Sequence, residues 1–139
     1  MFKYTITYTD FNDIERTEDF FFHLTTPELI EMQLTSNEGY DKHVERIIKA
    51  ESAKELIDTF KSILFKSYGE KSQDGRRFVK SEEISRNFSM TPAYTELFMK
   101  LATDDVFAAQ FMKGLIPKNF EEDVKKLEEA NARAMEKNA

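Results

Sequence analysis

Strict alternation opens the chain. From Phe2 to Thr9 the aromatic and branched residues Phe2, Tyr4, Ile6 and Tyr8 fall on one face and Lys3, Thr5, Thr7 and Thr9 on the other, the period of a strand with one buried side. Asp10-Phe11-Asn12-Asp13 supplies turn residues. Ile14 to Leu24 then alternates again, less cleanly, with Phe20, Phe22 and Leu24 on one face and Phe21 and His23 opposite. The pair predicts an N-terminal β-hairpin over residues 2–24. A lone hairpin is marginal in water, so its aromatic face must lie on helices. Phe21 then points away from that core, either covered by another element or exposed for a partner.

The period changes to that of helices after residue 24, and helices are expected over 27–116. Thr25-Thr26-Pro27-Glu28 is a helix start, with a hydroxyl cap, proline in the first turn and an early acid. That helix should run to about Thr35 and bury Leu29, Ile30, Met32 or Gln33, and Leu34. A second is expected over about Tyr40 to Ala50. Ser52-Ala53-Lys54-Glu55 fits a capping box, and the stripe behind it, Leu56, Ile57, Phe60, Ile63 and Leu64, is wide enough for the central helix of the fold. Gly69 is placed as its left-handed C-terminal residue.

Beyond it, Asp74-Gly75 marks a tight turn, and Phe78-Val79 an apolar plug that can add a short extended piece. Ser81, Thr91-Pro92 and Thr103-Asp104-Asp105 each start a further short helix. Short connections between capped helices imply a compact bundle. From Asn119 the apolar content drops to Val124, Leu127, a few alanines and Met135, while acid-first pairs recur four residues apart. The expectation is an α+β fold, mostly α: one globular domain over 1–117, a hairpin on five or six short helices, followed by a weakly docked polar helical tail over 118–139.

Composition narrows the function classes. Thirteen phenylalanines and 40% hydrophobic residues suffice for a packed core. The absence of cysteine removes disulfides and thiolate zinc sites. No apolar run is long enough to span a membrane, and MFKYTITYTD lacks the apolar stretch of a signal peptide. A net charge of −6 argues against nucleic acid as a partner. Against that background Lys71, Arg76, Arg77 and Lys80 stand out as a basic loop. It reads as a solvated loop first and as a dock for an acidic segment second.

Catalytic and metal constellations find no support. His23 and His43 fall on different elements, with no third ligand beside them. Glu82-Glu83 and Asp104-Asp105 sit in first turns, where the helix dipole favours acids. No glycine lies near another to cradle a phosphate, and no serine sits in a nucleophile elbow. No enzyme activity and no cofactor are expected. What remains is an aromatic and methionine set, Met90, Met99 and Met112 with Phe98, Phe107 and Phe111. It is either ordinary core or an adaptable groove for an amphipathic helix. Between Val106 and Ile116, the residues Phe107, Phe111, Met112, Leu115 and Ile116 exceed what one stripe of a short helix needs. Some of them should therefore lie outside the core as a partner surface, with Arg76 and Arg77 as a charged rim and Phe21 as the next choice.

The stretch from Ser67 to Pro117 also resembles a known family. Tyr68-Gly69, Asp74-Gly75-Arg76-Arg77-Phe78, Lys80-Ser81-Glu82-Glu83, the segment Thr91 to Leu101 with Ala102-Thr103-Asp104, and Gly114-Leu115-Ile116-Pro117 are similar, in order, to the tail assembly chaperones of long-tailed phages and prophages of Gram-positive hosts. The opening YTDFNDIERTEDFFFHLT resembles that group's N-terminal hairpin. The likeness covers about residues 2–117. It implies a non-enzymatic protein of the host cytoplasm that binds the tape measure protein during tail assembly and is absent from the finished virion. It further implies the short form of a pair whose frameshifted long form extends from the tail at Asn119–Ala139. A regulatory module binding another host or phage protein is the alternative. Free hairpin edges, with Phe21 exposed, add self-association through the hairpin or the tail to the expected behaviour.

Overall fold

The computed structural model of the protein describes residues 1–35 and 53–137. Strands β1 (Phe2–Thr9) and β2 (Glu15–Phe22) pair antiparallel, from Phe2 opposite Phe22 to Thr9 opposite Glu15. Helix α1 (Thr26–Thr35) and helix α2 (Ala53–Ser67) follow, then strands β3 (Tyr68–Lys71) and β4 (Phe78–Val79). Helices α3 (Glu82–Ser89), α4 (Pro92–Thr103), α5 (Asp105–Gly114) and α6 (Phe120–Lys137) complete the described chain. The fold is α+β and mostly helical, with six helices among the described residues. The helix expected over Tyr40–Ala50 and the cap expected at Ser52 lie outside them.

The sheet is larger than the expected hairpin. β3 and β4 extend it to four antiparallel strands in the order β1-β2-β3-β4, with Phe21 opposite Gly69 and Lys71 opposite Phe78. Alternation decides which face is dry. Ile6 and Phe22 are buried, and Phe2, Tyr4, Tyr8 and Phe20 pack against the same core. The other face is wet and joined across the strands. Thr5 donates to Asp19 (2.6 Å), Thr7 and Thr17 share a hydrogen bond of 3.0 Å, and the Lys3 ammonium lies 3.5 Å from Asp19.

The helix starts fall where the caps were read. Thr25 and Glu28 satisfy each other reciprocally: the Thr25 hydroxyl accepts from the Glu28 amide (3.3 Å), and the Glu28 carboxylate accepts from the Thr25 amide (3.0 Å). Ser81, Thr91 and Asp104 accept from Ile84, Tyr94 and Phe107 amides at 3.1, 3.3 and 3.0 Å. Each bond satisfies a donor that the first helical turn leaves free. Helix α2 buries Phe60, Ile63 and Leu64, as its stripe requires, but Ile57 of that stripe is exposed.

Aromatic rings hold sheet and helices together. Phe22 touches Tyr68, Phe88 and Phe111 at centroid distances of 5.6, 5.9 and 5.3 Å. Phe88 stacks on Tyr68 at 4.0 Å and meets Phe20 and Tyr94 at 5.3 and 5.6 Å. Burial in this cluster, with Glu70 and Glu18 nearby, pushes the Tyr68 phenol up to about 12.

Gly69 corrects an expectation. It is not a left-handed helix cap, because Gly75 is the one glycine with positive φ (73°) among the described residues. Gly69 is a strand residue, and a Cβ there would lie 2.7 Å from the Phe78 ring and 2.8 Å from the Lys80 stem. Close approach of β4, not backbone handedness, is what demands glycine here.

Candidate functional site

The surface expected between Val106 and Ile116 largely turns inward. Phe111, Met112 and Leu115 are buried core residues, which removes them as partner contacts. The reason is that α5 is covered on two sides. Its Phe111 ring meets Phe2 of β1 at 5.1 Å and Phe22 at 5.3 Å, and Leu115 supplies the carbonyl that accepts from the Leu24 amide (3.1 Å). A helix held between a strand and other helices needs more than one apolar stripe. Phe107 is half-buried, its ring 4.9 Å from Tyr4 and 6.2 Å from Phe2, with the Lys100 ammonium 5.7 Å above it. Ile116 is likewise half-buried against the core. Of the aromatic and methionine set, Met90 and Met99 stand exposed, beside Val106 at 69%.

The basic loop splits into two parts. Arg76 and Arg77 are exposed in the β3–β4 turn, which Asp74 organises by accepting from the Ser72 hydroxyl (2.7 Å) and the Arg76 amide (3.1 Å). Those bonds, the Ser72 one first, hold the Asp74 carboxyl below its usual range. Strand order puts this turn at the sheet edge remote from β1, under which Phe107 lies. The two arginines therefore do not rim the Phe107 surface. Lys71 covers the half-buried Phe21, its ammonium 4.8 Å from the ring centroid.

Lys80 belongs to the interior joinery rather than to the basic loop. Its ammonium donates to both Glu28 carboxylate oxygens at 2.6 Å, to the His23 carbonyl at 2.9 Å and to the Lys66 carbonyl at 3.1 Å. One cation thus ties β2, α1 and α2 to the end of β4. Burial alone would raise the Glu28 carboxyl, but the bonds from Lys80 and Thr25 outweigh it and hold the group low. Beside them the His23 Nδ1 is buried without a hydrogen-bond partner.

One exposed feature carried no signal beyond its turn composition. At the β1–β2 tip Phe11 is 82% exposed and Ile14 is 53% exposed. An aromatic residue inside an Asp/Asn-rich turn was the available clue, because turns rarely spend a phenylalanine on solvent.

Open grooves elsewhere are modest. One of about 530 Å³ is lined by Glu28, Phe65, Lys66, Lys80, Glu82 and Arg86, among others. Another of about 560 Å³ runs between α1 and α6, past Ile30, Val124, Leu127 and Ala134. Among the described residues no group of three or more potential metal ligands occurs, and no helix is long and apolar enough to cross a membrane.

The comparison with protein families is specific where the geometry is general. The family model described as phage tail assembly chaperone matches residues 1–139, and the chain belongs to that family. The match runs through the C-terminal helix as well as the hairpin and bundle. Membership points to a phage tail protein as the partner. No curated protein and no solved structure matches the chain.

Proposed function

We propose that this protein binds the tape measure protein while the tail of a long-tailed phage is assembled, without catalysing a reaction. It acts in the host cytoplasm and does not enter the finished virion. The observation that carries the reading is the family match over the whole chain. The structure supports it in kind, because Phe11, Val106, Met99 and Leu127 leave apolar surface free on a body of net charge −6. Exposed apolar side chains on an acidic body suit an escort for a long helical client that aggregates when alone. On the helical side the accessible parts of Phe107 and Ile116 remain candidate contacts, and Arg76, Arg77 and Phe21 form a separate one across the sheet.

Co-expression with the tape measure protein of the same phage tests the reading. The client is expected to move from the insoluble to the soluble fraction and to co-purify with this chain. An unchanged soluble fraction with no co-purification would discard the proposal.

A further inference from the structure

The β1–β2 turn is held more firmly than a connection needs. The Asp10 carboxylate accepts from the Asn12 amide (2.8 Å), the Ile14 amide (3.0 Å) and the Arg16 guanidinium (2.6 Å). The Asp10 amide donates to the Ile14 carbonyl (2.9 Å), and the Asp13 amide to the Asp10 carbonyl (3.0 Å). Asp13 takes φ 61°, the left-handed region that asparagine and aspartate tolerate best. Five bonds thus fix a turn whose display is apolar. Phe11, at 82%, is the most exposed large hydrophobic residue among those described. A slack loop would let the ring fold back onto the strands, and this one does not. Residues 15–19 of β2 are all exposed, so the tip stands clear of the body.

Net charge at the tip is negative. Arg16 is paired with Asp10. Asp13 and Glu15, both exposed, flank Ile14 in the sequence. We infer that the hairpin tip is a preformed knob: it inserts Phe11 and Ile14 into an apolar socket, rimmed by lysine or arginine, on the client protein. A fixed aromatic anchor loses little freedom on binding, and the acidic collar selects the rim. Of the grooves on the described surface, the apolar one between α1 and α6 carries Glu128 and no cation in its lining, the one at Lys80 is lined by Glu28 and Glu82 with Phe65 as its single large apolar residue, and the one at Leu24 and Met32 sets Lys66 beside Glu28 and Glu31. The occupant is a different polypeptide, the client, whose basic rim complements the carboxylates of Asp13 and Glu15.

The inference rests on the chaperone reading, and the test separates the two. The probe is the co-expressed tape measure protein, captured through wild-type chain, Phe11→Ser, Ile14→Ser, Asp13→Asn/Glu15→Gln, and Met90→Ser. Met90 is exposed at 61% and serves as a control loss of exposed apolar surface away from the tip. All variants are expected to melt within about 2 °C of wild type, since they touch only surface. Phe11→Ser and Ile14→Ser should lower client recovery about ten-fold or more, and the charge variant less, with weaker dependence on salt. Met90→Ser should recover as wild type does. Equal recovery with Phe11→Ser and Ile14→Ser overturns the knob and leaves the chaperone reading standing. No recovery with wild type overturns both. A fall in the chain's own mass by light scattering with Phe11→Ser, client recovery unchanged, would identify a second copy as the occupant and overturn the inference.

Discussion

His23 shows how a residue that looked uninformative in the sequence gains a consequence from its surroundings. Burial holds its pKa below the ordinary 6.5; the N-terminal amino group and Lys80 push the same way, and Glu28 pulls against them. The folded state therefore resists a proton that the unfolded chain accepts. A base with a depressed folded pKa contributes its full stability above pH 6.5 and loses it as the pH falls from there toward the folded value. Glu28 acts in a separate, more acid window, because its folded pKa lies below 4.5 and its contribution is lost as the pH falls through that lower value. Melting temperature should then fall in two stages on acidification, and His23→Gln should flatten only the first, between about pH 7 and 5. A wild-type profile flat over that interval would show that the buried Nδ1 is of no energetic consequence. Neither window could be read from the sequence, because His23 and Lys80 are 57 positions apart and meet only when β4 returns to the end of β2.

At the scale of elements, what was legible is what is local. Alternation over Phe2–Thr9 and the hydroxyl or carboxylate caps at Thr25, Ser81, Thr91 and Asp104 act within a few residues, and the structure has each where the sequence put it. Two elements were misread for a common reason. Tyr68–Lys71 is a strand because β2 and β4 flank it, not because of its own composition, which contains glycine and two charges. Phe111, Met112 and Leu115 looked like surplus apolar surface because one stripe was assumed for α5, when Phe2 and Phe22 close over a second side. The candidate site was less legible than the fold, since a knob such as Phe11 is defined by what fails to cover it. The helix expected to be central offers a direct measurement. Phe60 of α2 is buried in the main core, and Phe60→Ala should cost about 3–5 kcal/mol through the cavity it leaves. Urea unfolding monitored by circular dichroism reads that loss. A midpoint unchanged from wild type would mean the core closes over the gap.

Among the described residues one sheet edge is left without a further strand and one helix is loosely seated, and both bear on assembly. In the order β1-β2-β3-β4, β1 has a strand on one side only, along eight residues, whereas β4 at the far edge is two residues long. Long unpaired edges invite a further strand. The C-terminal helix is anchored at its start, where Phe120 packs on the core and Thr26 donates to Asp123 (3.4 Å), but from Lys125 to Met135 its residues are exposed. We therefore propose a domain edge near Pro117 and self-association through the β1 edge, with the helix contributing little to either the core or the contact. Light scattering on the full chain and on a chain ended after Pro117 tests both points at once. The mass should rise with concentration in the two alike, and the shortened chain should stay folded with a modest fall in melting temperature from the loss of Phe120. A rise confined to the full chain would move the contact to the helix face at Leu127 and Ala134. Constant monomer mass in both would show that the edge is too strongly twisted, or too well spaced by Lys3 and the threonines, to accept another strand.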